Sequence, residues 1–213
     1  MSIAIRDVHE HELDSVLALN NAAGSAILPL DVARLRRFYA EAEYFRVAER
    51  DGMLAGFLVG FGAAAQHDSD NFRWFGAQYP DFFYIDRIVV ASRRRGGGVG
   101  RAFYADVQSY AELRYPQLAC EVFLDDGNAA QGGTLADGND PALLFHGSFG
   151  FREVGQHVMA SGNGGSGRRA AMLMKDLCSY HWVHDTYGAC LPNVPWIAGP
   201  RTAGAVVRRA TGT

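Results

Sequence analysis

The stretch Tyr84-Ile-Asp-Arg-Ile-Val-Val-Ala-Ser-Arg-Arg-Arg-Gly-Gly-Gly-Val-Gly-Arg101 decides how the rest of this chain is read. Phe82–Ala91 is a β-branched and aromatic run of the kind that forms a central strand. The basic, glycine-rich segment Ser92–Gly100 then leads into a helical pattern with Phe103, Val107, Tyr110 and Ala111 on one face. Glycines let a backbone turn tightly and aim successive N–H groups into one concavity. The start of the helix adds its positive end, so the junction suits a phosphate or pyrophosphate. Arg93, Arg94, Arg95 and Arg101 add positive charge there. No Lys-Ser/Thr pair follows the loop, which excludes a Walker A sequence. A dinucleotide fingerprint fails too, because Arg101 or Phe103 occupies its third small position. The plain alternative is a flexible basic turn.

Working outward, Ile3–Val8 alternates like an opening strand, and Asp7 with Glu10 makes a capping-box pattern ahead of a helix bearing Leu13, Val16 and Leu17. Asn20, Asn21 and Gly24 are expected to stop that helix. A second helix is predicted from Asp31, with Val32, Leu35, Phe38 and Tyr39 facing the core. Tyr44–Glu49 and Met53–Phe61 read as strands joined by the turn Asp51-Gly52. Gly62 to Pro80 reads as a long polar and aromatic loop. Beyond the glycine segment and its helix, Leu118–Leu124 is a further strand. Asp140-Pro141 opens another helix, with Asp as cap and Pro at the first helical position, ending at Gly150. Phe151–Ala160 and Ala171–Leu177 form a closing hairpin, after which the pattern dissolves. The predicted order is β-α-α-β-β-β-α-β-α-β-β.

Composition sets the frame. With 213 residues, 48% of them hydrophobic and 20% charged, the chain is long enough for one well-cored globular domain. A net charge of −3 offers no bulk attraction to nucleic acid or to an anionic membrane, so any anion needs a local site. Cys120, Cys178 and Cys190 show neither CxxC pairing nor metal-ligand spacing, and isolated thiols fit a reducing compartment. Met1 to Val8 lacks the apolar core of a signal peptide, and the longest apolar run, Met53 to Ala65, is too short to span a bilayer. A cytoplasmic location is the expectation, with no metal, no nucleic acid and no membrane among its partners.

Arg95-Gly96-Gly97-Gly98-Val99-Gly100 resembles the [Arg/Gln]-x-x-Gly-x-[Gly/Ala] signature of the GNAT N-acetyltransferase superfamily. The preceding strand places Ile88 and Val90 at the offsets where that family carries apolar residues. A later family helix reads Asn-x-x-Ala-x-x-x-Tyr-x-x-x-Gly-Phe. Here Asn139, Ala142, Gly150 and Phe151 keep its anchors while His146 stands in place of the Tyr. The likeness extends from Ile3 to about Leu177 and is similar, more narrowly, to a bacterial branch of acetyltransferases. It implies an α/β (α+β) fold with a central, mixed but mostly antiparallel sheet flanked by about four helices.

The resemblance further implies an acetyl-CoA-dependent N-acetyltransferase in which an amine attacks the thioester directly, both substrates being bound together. Ile88, Val89, Val90, Arg95, Gly96, Gly97, Gly98, Val99, Gly100 and Arg101 would hold the coenzyme A, with Asn139 on its pantetheine arm. A backbone N–H near Val90 would meet the charge developing on the carbonyl oxygen. Asp86 is a candidate base, since simple alternation turns it to the side of Ile88 and Val90, and Glu121 is its rival. His146 would donate a proton to the leaving thiolate or hold a water. Asp68, Asp70, Trp74 and Tyr84 are expected along the acceptor side, where acids near aromatic rings would orient a cationic amine. Acetylation of a small-molecule primary amine is the leading expectation. A protein or peptide acceptor, or a non-catalytic acyl-CoA-binding regulatory domain, is the alternative.

Two stretches depart from the family pattern. Asp126–Asn128 and Asp137–Asn139 bracket what reads as an inserted loop beside the cofactor channel. The extension 179–213 carries Trp182, Tyr187, Leu191, Val194, Trp196 and Ile197, too apolar for a free linker. It is expected to pack on the domain (1–178) or on a second subunit, as in a homodimer, with Arg201–Thr213 disordered.

Overall fold

Strands β1 (Ile3–Asp7), β2 (Tyr44–Arg50) and β3 (Met53–Gly62) pair antiparallel in chain order in this computed structural model, which describes residues 2–24, 27–124, 140–159 and 167–187. Asp51 and Gly52 both adopt positive φ, 55° and 73°, the combination a tight two-residue hairpin turn requires. Strand β4 (Phe83–Val90) adds antiparallel to β3. Helix α4 (Val99–Ala111) then returns the chain so that β5 (Gln117–Phe123) lies parallel to β4. The hairpin of β6 (Arg152–Met159) and β7 (Arg168–Asp176) completes the sheet, with β7 inserted between β5 and β6. The described residues thus form one seven-stranded sheet, β1-β2-β3-β4-β5-β7-β6, with a single parallel step.

Each face of the sheet has its own core. On one, α1 (Leu13–Asn21), α2 (Val32–Glu41) and α3 (Asp70–Gly76) enclose Val16, Leu35, Phe38, Phe57, Phe75 and Tyr84. On the other, α4 and α5 (Pro141–Gly147) enclose Leu58, Ile85, Phe103, Tyr104, Cys120 and Leu173. Asp140 caps α5 by accepting the Ala142 N–H at 2.7 Å, as its place before Pro141 predicts. Asp31 caps α2 in the same way through Arg34 N–H.

Several local expectations are corrected. The capping pair ahead of α1 is not Asp7 with Glu10. A 3-10 turn at Glu10–Glu12 intervenes, and Glu12 accepts the His9 N–H at 3.0 Å. Val32 and Tyr39 are exposed, so Leu35 and Phe38 alone carry the buried stripe of α2. The polar stretch after β3 contains α3, whose cap Ser69 accepts from Asn71 and Phe72 N–H. After Cys178 the chain forms α6 (Cys178–Tyr187), whose Tyr180 packs against the second core. Six helices, not about four, therefore flank the sheet among the described residues. The expected insert around 126–139, including Asn139, and the extension beyond Tyr187 lie outside the described residues.

Candidate active site

The parallel step is brief. Only Phe83↔Leu118 and Tyr84↔Ala119 are paired between β4 and β5, whereas each strand stays paired along its outer edge, β4 to β3 and β5 to β7. Beyond Tyr84 and Ala119 the two strands therefore turn backbone edges toward a gap, and such edges require partners from water or a ligand. A break in β4 lies two residues further along, at Asp86. Val59 pairs with Arg87 but Gly60 pairs with Ile85, so Asp86 is an extra, bulged residue. A bulge bends its strand and breaks alternation. Gly60 permits it locally, because a Cβ there would lie 2.4 Å from the Phe83 ring.

The bulge also corrects the expected orientation of Asp86. It shares a face with Tyr84 and with its own neighbour Arg87, opposite to Ile88 and Val90, which pack with the α4 side. Arg87 Nε lies 2.6 Å from Asp86 Oδ2 and His67 Nε2 lies 3.0 Å from Oδ1, so both carboxylate oxygens are engaged. Burial alone would push this carboxyl upward. Arg87, then His67, outweigh it and hold the value at about 2. A carboxylate so held is a poor proton acceptor at neutral pH. Asp86 thus becomes an anchor, and the candidacy for base passes to its rival.

Glu121 sits across the gap on β5, on the face of Tyr84, whose hydroxyl donates to Oε2 at 2.7 Å. Burial is the main influence on its carboxyl, and with the negative charge of Asp86 it outweighs the hydrogen bonds from Tyr84 and Asn71. The result is a value of about 7. The Tyr84 hydroxyl is itself raised well above its ordinary value, first by burial and then by Glu121, so it stays protonated and donates.

The remaining acceptor-side expectations divide. Asp68 pairs with Arg34 at 3.2 Å and Arg37 at 3.1 Å on α2, and Asp70 pairs with Arg73. Neither acid is turned toward Glu121. Trp74 packs so closely on β6 that a Cβ at Gly155 would lie 2.8 Å from its ring. Arg87 and His157 of the cluster carry no expectation from the sequence. Arg87 donates to Asn20 Oδ1 at 2.8 Å and to the Leu28 carbonyl at 3.2 Å, and Asn71 holds His157 at 2.8 Å. The cap Ser69 and the i, i+3 spacing of Phe72 and Phe75 were the available signal for α3.

On the opposite face, His146 turns inward from α5. Its Nδ1 lies 2.5 Å from the Tyr104 hydroxyl and 3.5 Å from Cys120 Sγ. Burial lowers the imidazole to about 4, against the pull of Asp140, so the ring is neutral at physiological pH. It can donate a hydrogen bond but offers no cationic acid.

The glycine segment folds as its sequence suggests. Ser92–Arg94 makes a 3-10 turn, Gly96 and Gly98 take φ of 74° and 85°, and α4 begins at Val99. The first helical bond runs from Ala102 N to Gly98 O, leaving the N–H groups of Val99, Gly100 and Arg101 ahead of the helix without intrahelical acceptors. Arg50 Nη1 donates to the Gly97 carbonyl at 3.3 Å and braces the turn from beneath. Gly100 is needed for a different reason: a Cβ there would lie 2.7 Å from the Phe145 ring, so its absence lets α5 approach α4. Beside the turn, Leu54, Val90, Ala91, Arg93 and Arg94 line a groove. Phosphate-sized anions fit this cradle of backbone donors, and Arg94, at 3.5 Å from Asp51, is held at its edge.

A sheet parted between β4 and β5 and a turn lined with free backbone donors at the start of α4 are the parts an acyl-CoA-dependent acyltransferase needs. A family model for the acetyltransferase (GNAT) family matches residues 13–151, and the chain belongs to that family. No curated protein matches it. Among solved structures, Naa20 from Chaetomium thermophilum in complex with a bisubstrate analogue is 19% identical, with a TM-score of 0.61 over 84% of this chain and 89% of that one. The ribosomal-protein-S18-alanine N-acetyltransferase of Escherichia coli is 15% identical, with a TM-score of 0.59 over 83% and 94%. The protein yncA of Salmonella typhimurium, solved with its cofactor acetyl-CoA, is 16% identical, with a TM-score of 0.56 over 83% and 95%. At these identities the likeness is one of fold. Acetyl-CoA is the donor that the family uses.

Proposed function

We propose that this chain transfers an acetyl group from acetyl-CoA to the primary amine of a small molecule by direct attack in a ternary complex, with Glu121 as the general base. The observation that carries the reading is the Glu121 carboxyl at the β4–β5 gap, hydrogen-bonded to Tyr84 and raised to about 7. A base poised near ambient pH can take the proton of an attacking amine and still be ionised beforehand. Residues Arg95–Arg101 hold the pyrophosphate, and Ile88–Val90 with Asn139 hold the pantetheine arm. A β4 N–H near Val90 meets the developing oxyanion. Neutral His146 donates a hydrogen bond to the departing thiolate or to a water beside it. A small acceptor is supported by α3, which lays Phe72 and Phe75 against Tyr84 and narrows that side of the gap.

The second reading, a protein N-terminus as acceptor, is favoured by the likeness in fold to the ribosomal-protein-S18-alanine N-acetyltransferase of Escherichia coli. The test mixes acetyl-CoA with small amines, amino acids and short peptides and follows release of the free thiol. Turnover restricted to peptides would select the second reading. Glu121→Gln should lower kcat/KM by about 10²–10⁴. In the wild type, kcat/KM should rise with pH through about 7 as the carboxyl ionises. That limb should be absent from Glu121→Gln, whereas wild-type activity in the variant would remove Glu121 from the chemistry.

A further inference from the structure

Arg50 closes strand β2, 47 residues before Gly97, and belongs to no part of the glycine segment. Its Nη1 nonetheless donates to the Gly97 carbonyl at 3.3 Å, and its Nε lies 3.8 Å from Asp51 Oδ2 in the hairpin turn. Asp51 also takes Arg94 at 3.5 Å, which fastens the β2–β3 turn to the glycine segment. The guanidinium fits closely under that segment: a Cβ at Gly97 would lie 1.9 Å from Nη1. Gly96 and Gly98 have positive φ but Gly97 does not, so its lack of a side chain answers to Arg50 rather than to backbone conformation.

Peptide geometry carries that contact across the turn. The Gly97 carbonyl and the Gly98 N–H belong to one planar trans peptide and point in opposite directions. With the carbonyl tied to Arg50, the Gly98 N–H is turned to the other side, where it has no acceptor among the described residues. We propose that Arg50 is a positioning residue for coenzyme A: by holding the Gly97 carbonyl it sets the Gly98 N–H beside those of Val99, Gly100 and Arg101 as a donor to the pyrophosphate. The inference rests on Arg95–Arg101 holding that group. A peptide between two glycines turns over readily, because glycine accepts either sign of φ, and a side chain from outside the loop removes that freedom. Donors fixed in advance spare the ordering cost when the anion arrives.

Calorimetric titration of the full-length protein with acetyl-CoA tests this. Arg50→Met removes the hold and should weaken binding roughly tenfold, the worth of one hydrogen bond to a charged group. Gly97→Ala keeps the charge of Arg50 but displaces Nη1, the movable end of a flexible side chain, and should weaken binding to a similar extent. In the double variant the two losses should not add, because both remove the same contact. Arg50→Lys, which keeps a donor, should retain more affinity than Arg50→Met. Acetyl-3′-dephospho-CoA retains the pyrophosphate, so the factor lost should be the same for it. Full affinity in Gly97→Ala would show that Arg50 acts through its charge alone, and additive losses would show two separate effects. Either result overturns the proposal. So does a loss confined to acetyl-CoA, which would put Arg50 on the 3′-phosphate. Should Arg50→Met fail to fold, Gly97→Ala decides by itself. A wild type that does not bind acetyl-CoA removes the pyrophosphate reading and the proposal together, whereas wild-type binding untouched by either substitution removes the proposal alone.

Discussion

Asp86 and Glu121 carry the same functional group on facing strands, yet their surroundings drive them apart. Both are buried. The difference is how closely cations and donors sit: Arg87 lies 2.6 Å and His67 3.0 Å from Asp86, whereas Arg87 is the least of the influences on Glu121 and the charge of Asp86 opposes it. The consequence for stability follows from linkage. In the unfolded chain Glu121 ionises near 4.5, in the folded protein near 7, so between those values folding takes up a proton and stability falls as pH rises. Above about pH 7 the loss is complete and amounts to about 3 kcal/mol. Glu121→Gln, which cannot ionise, should therefore be more stable than the wild type at pH 8 by a margin that shrinks towards pH 5. Urea denaturation at the two pH values measures it. A margin independent of pH would mean the carboxyl is not raised.

At the scale of elements, the turn into α4 and the contact of α4 with α5 are a single construction. The glycines at 96 and 98 shape the turn, but Gly100 acts between helices. A larger side chain would drive Phe145 outward and carry α5, with His146, away from Tyr104. Gly100→Val should cost roughly 1–3 kcal/mol by overpacking. It should also weaken acetyl-CoA binding by calorimetry, whereas unchanged affinity would show that α5 yields without disturbing the cradle. What could be read beforehand was whatever is written in consecutive residues. Asp51-Gly52, Asp140-Pro141 and Arg95–Gly100 are each complete in themselves, and each forms as expected. The site beneath them was less legible because it depends on pairs distant in sequence. The alternation that turns Asp86 toward Ile88 and Val90 is broken by a bulge whose register is set against Gly60 on β3. Asp68 and Asp70 have the composition of an amine site, yet arginines of α2 and α3 engage both. Helix α3 was hidden because its polar outer face disguised the Phe72 and Phe75 pair that buries it.

Across the whole molecule, Arg87 is the point where separate segments meet. From the middle of the sheet it grips Asp86 beside it, Asn20 at the end of α1 and the Leu28 carbonyl in the connection to α2, while its guanidinium lies 5.2 Å from the Phe38 ring centroid. Asp86 extends the link through His67, whose Nδ1 accepts the Ser69 N–H at 3.1 Å at the start of α3. One buried ion pair thus ties the α1–α2 connection, the β4 bulge and the α3 segment together. Its worth is asymmetric: removing one partner strands the other in the interior, whereas removing both spares that penalty. Arg87→Met should destabilise by about 3–5 kcal/mol, and adding Asp86→Asn to it should recover part of the loss. Acid sensitivity gives an independent reading. Asp86 is held below its unfolded value, so its share of stability is full above about pH 4 and is lost as pH falls toward 2. Without Arg87 the chief influence holding the carboxyl down is gone and burial raises it, so protonation relieves the stranded charge and the deficit of Arg87→Met should narrow from pH 7 to pH 4. Urea midpoints for the two single variants and the double variant, at pH 7 and at pH 4, test both statements. Strict additivity at pH 7 would show that the pair is no hub and that Arg87 is held by packing alone.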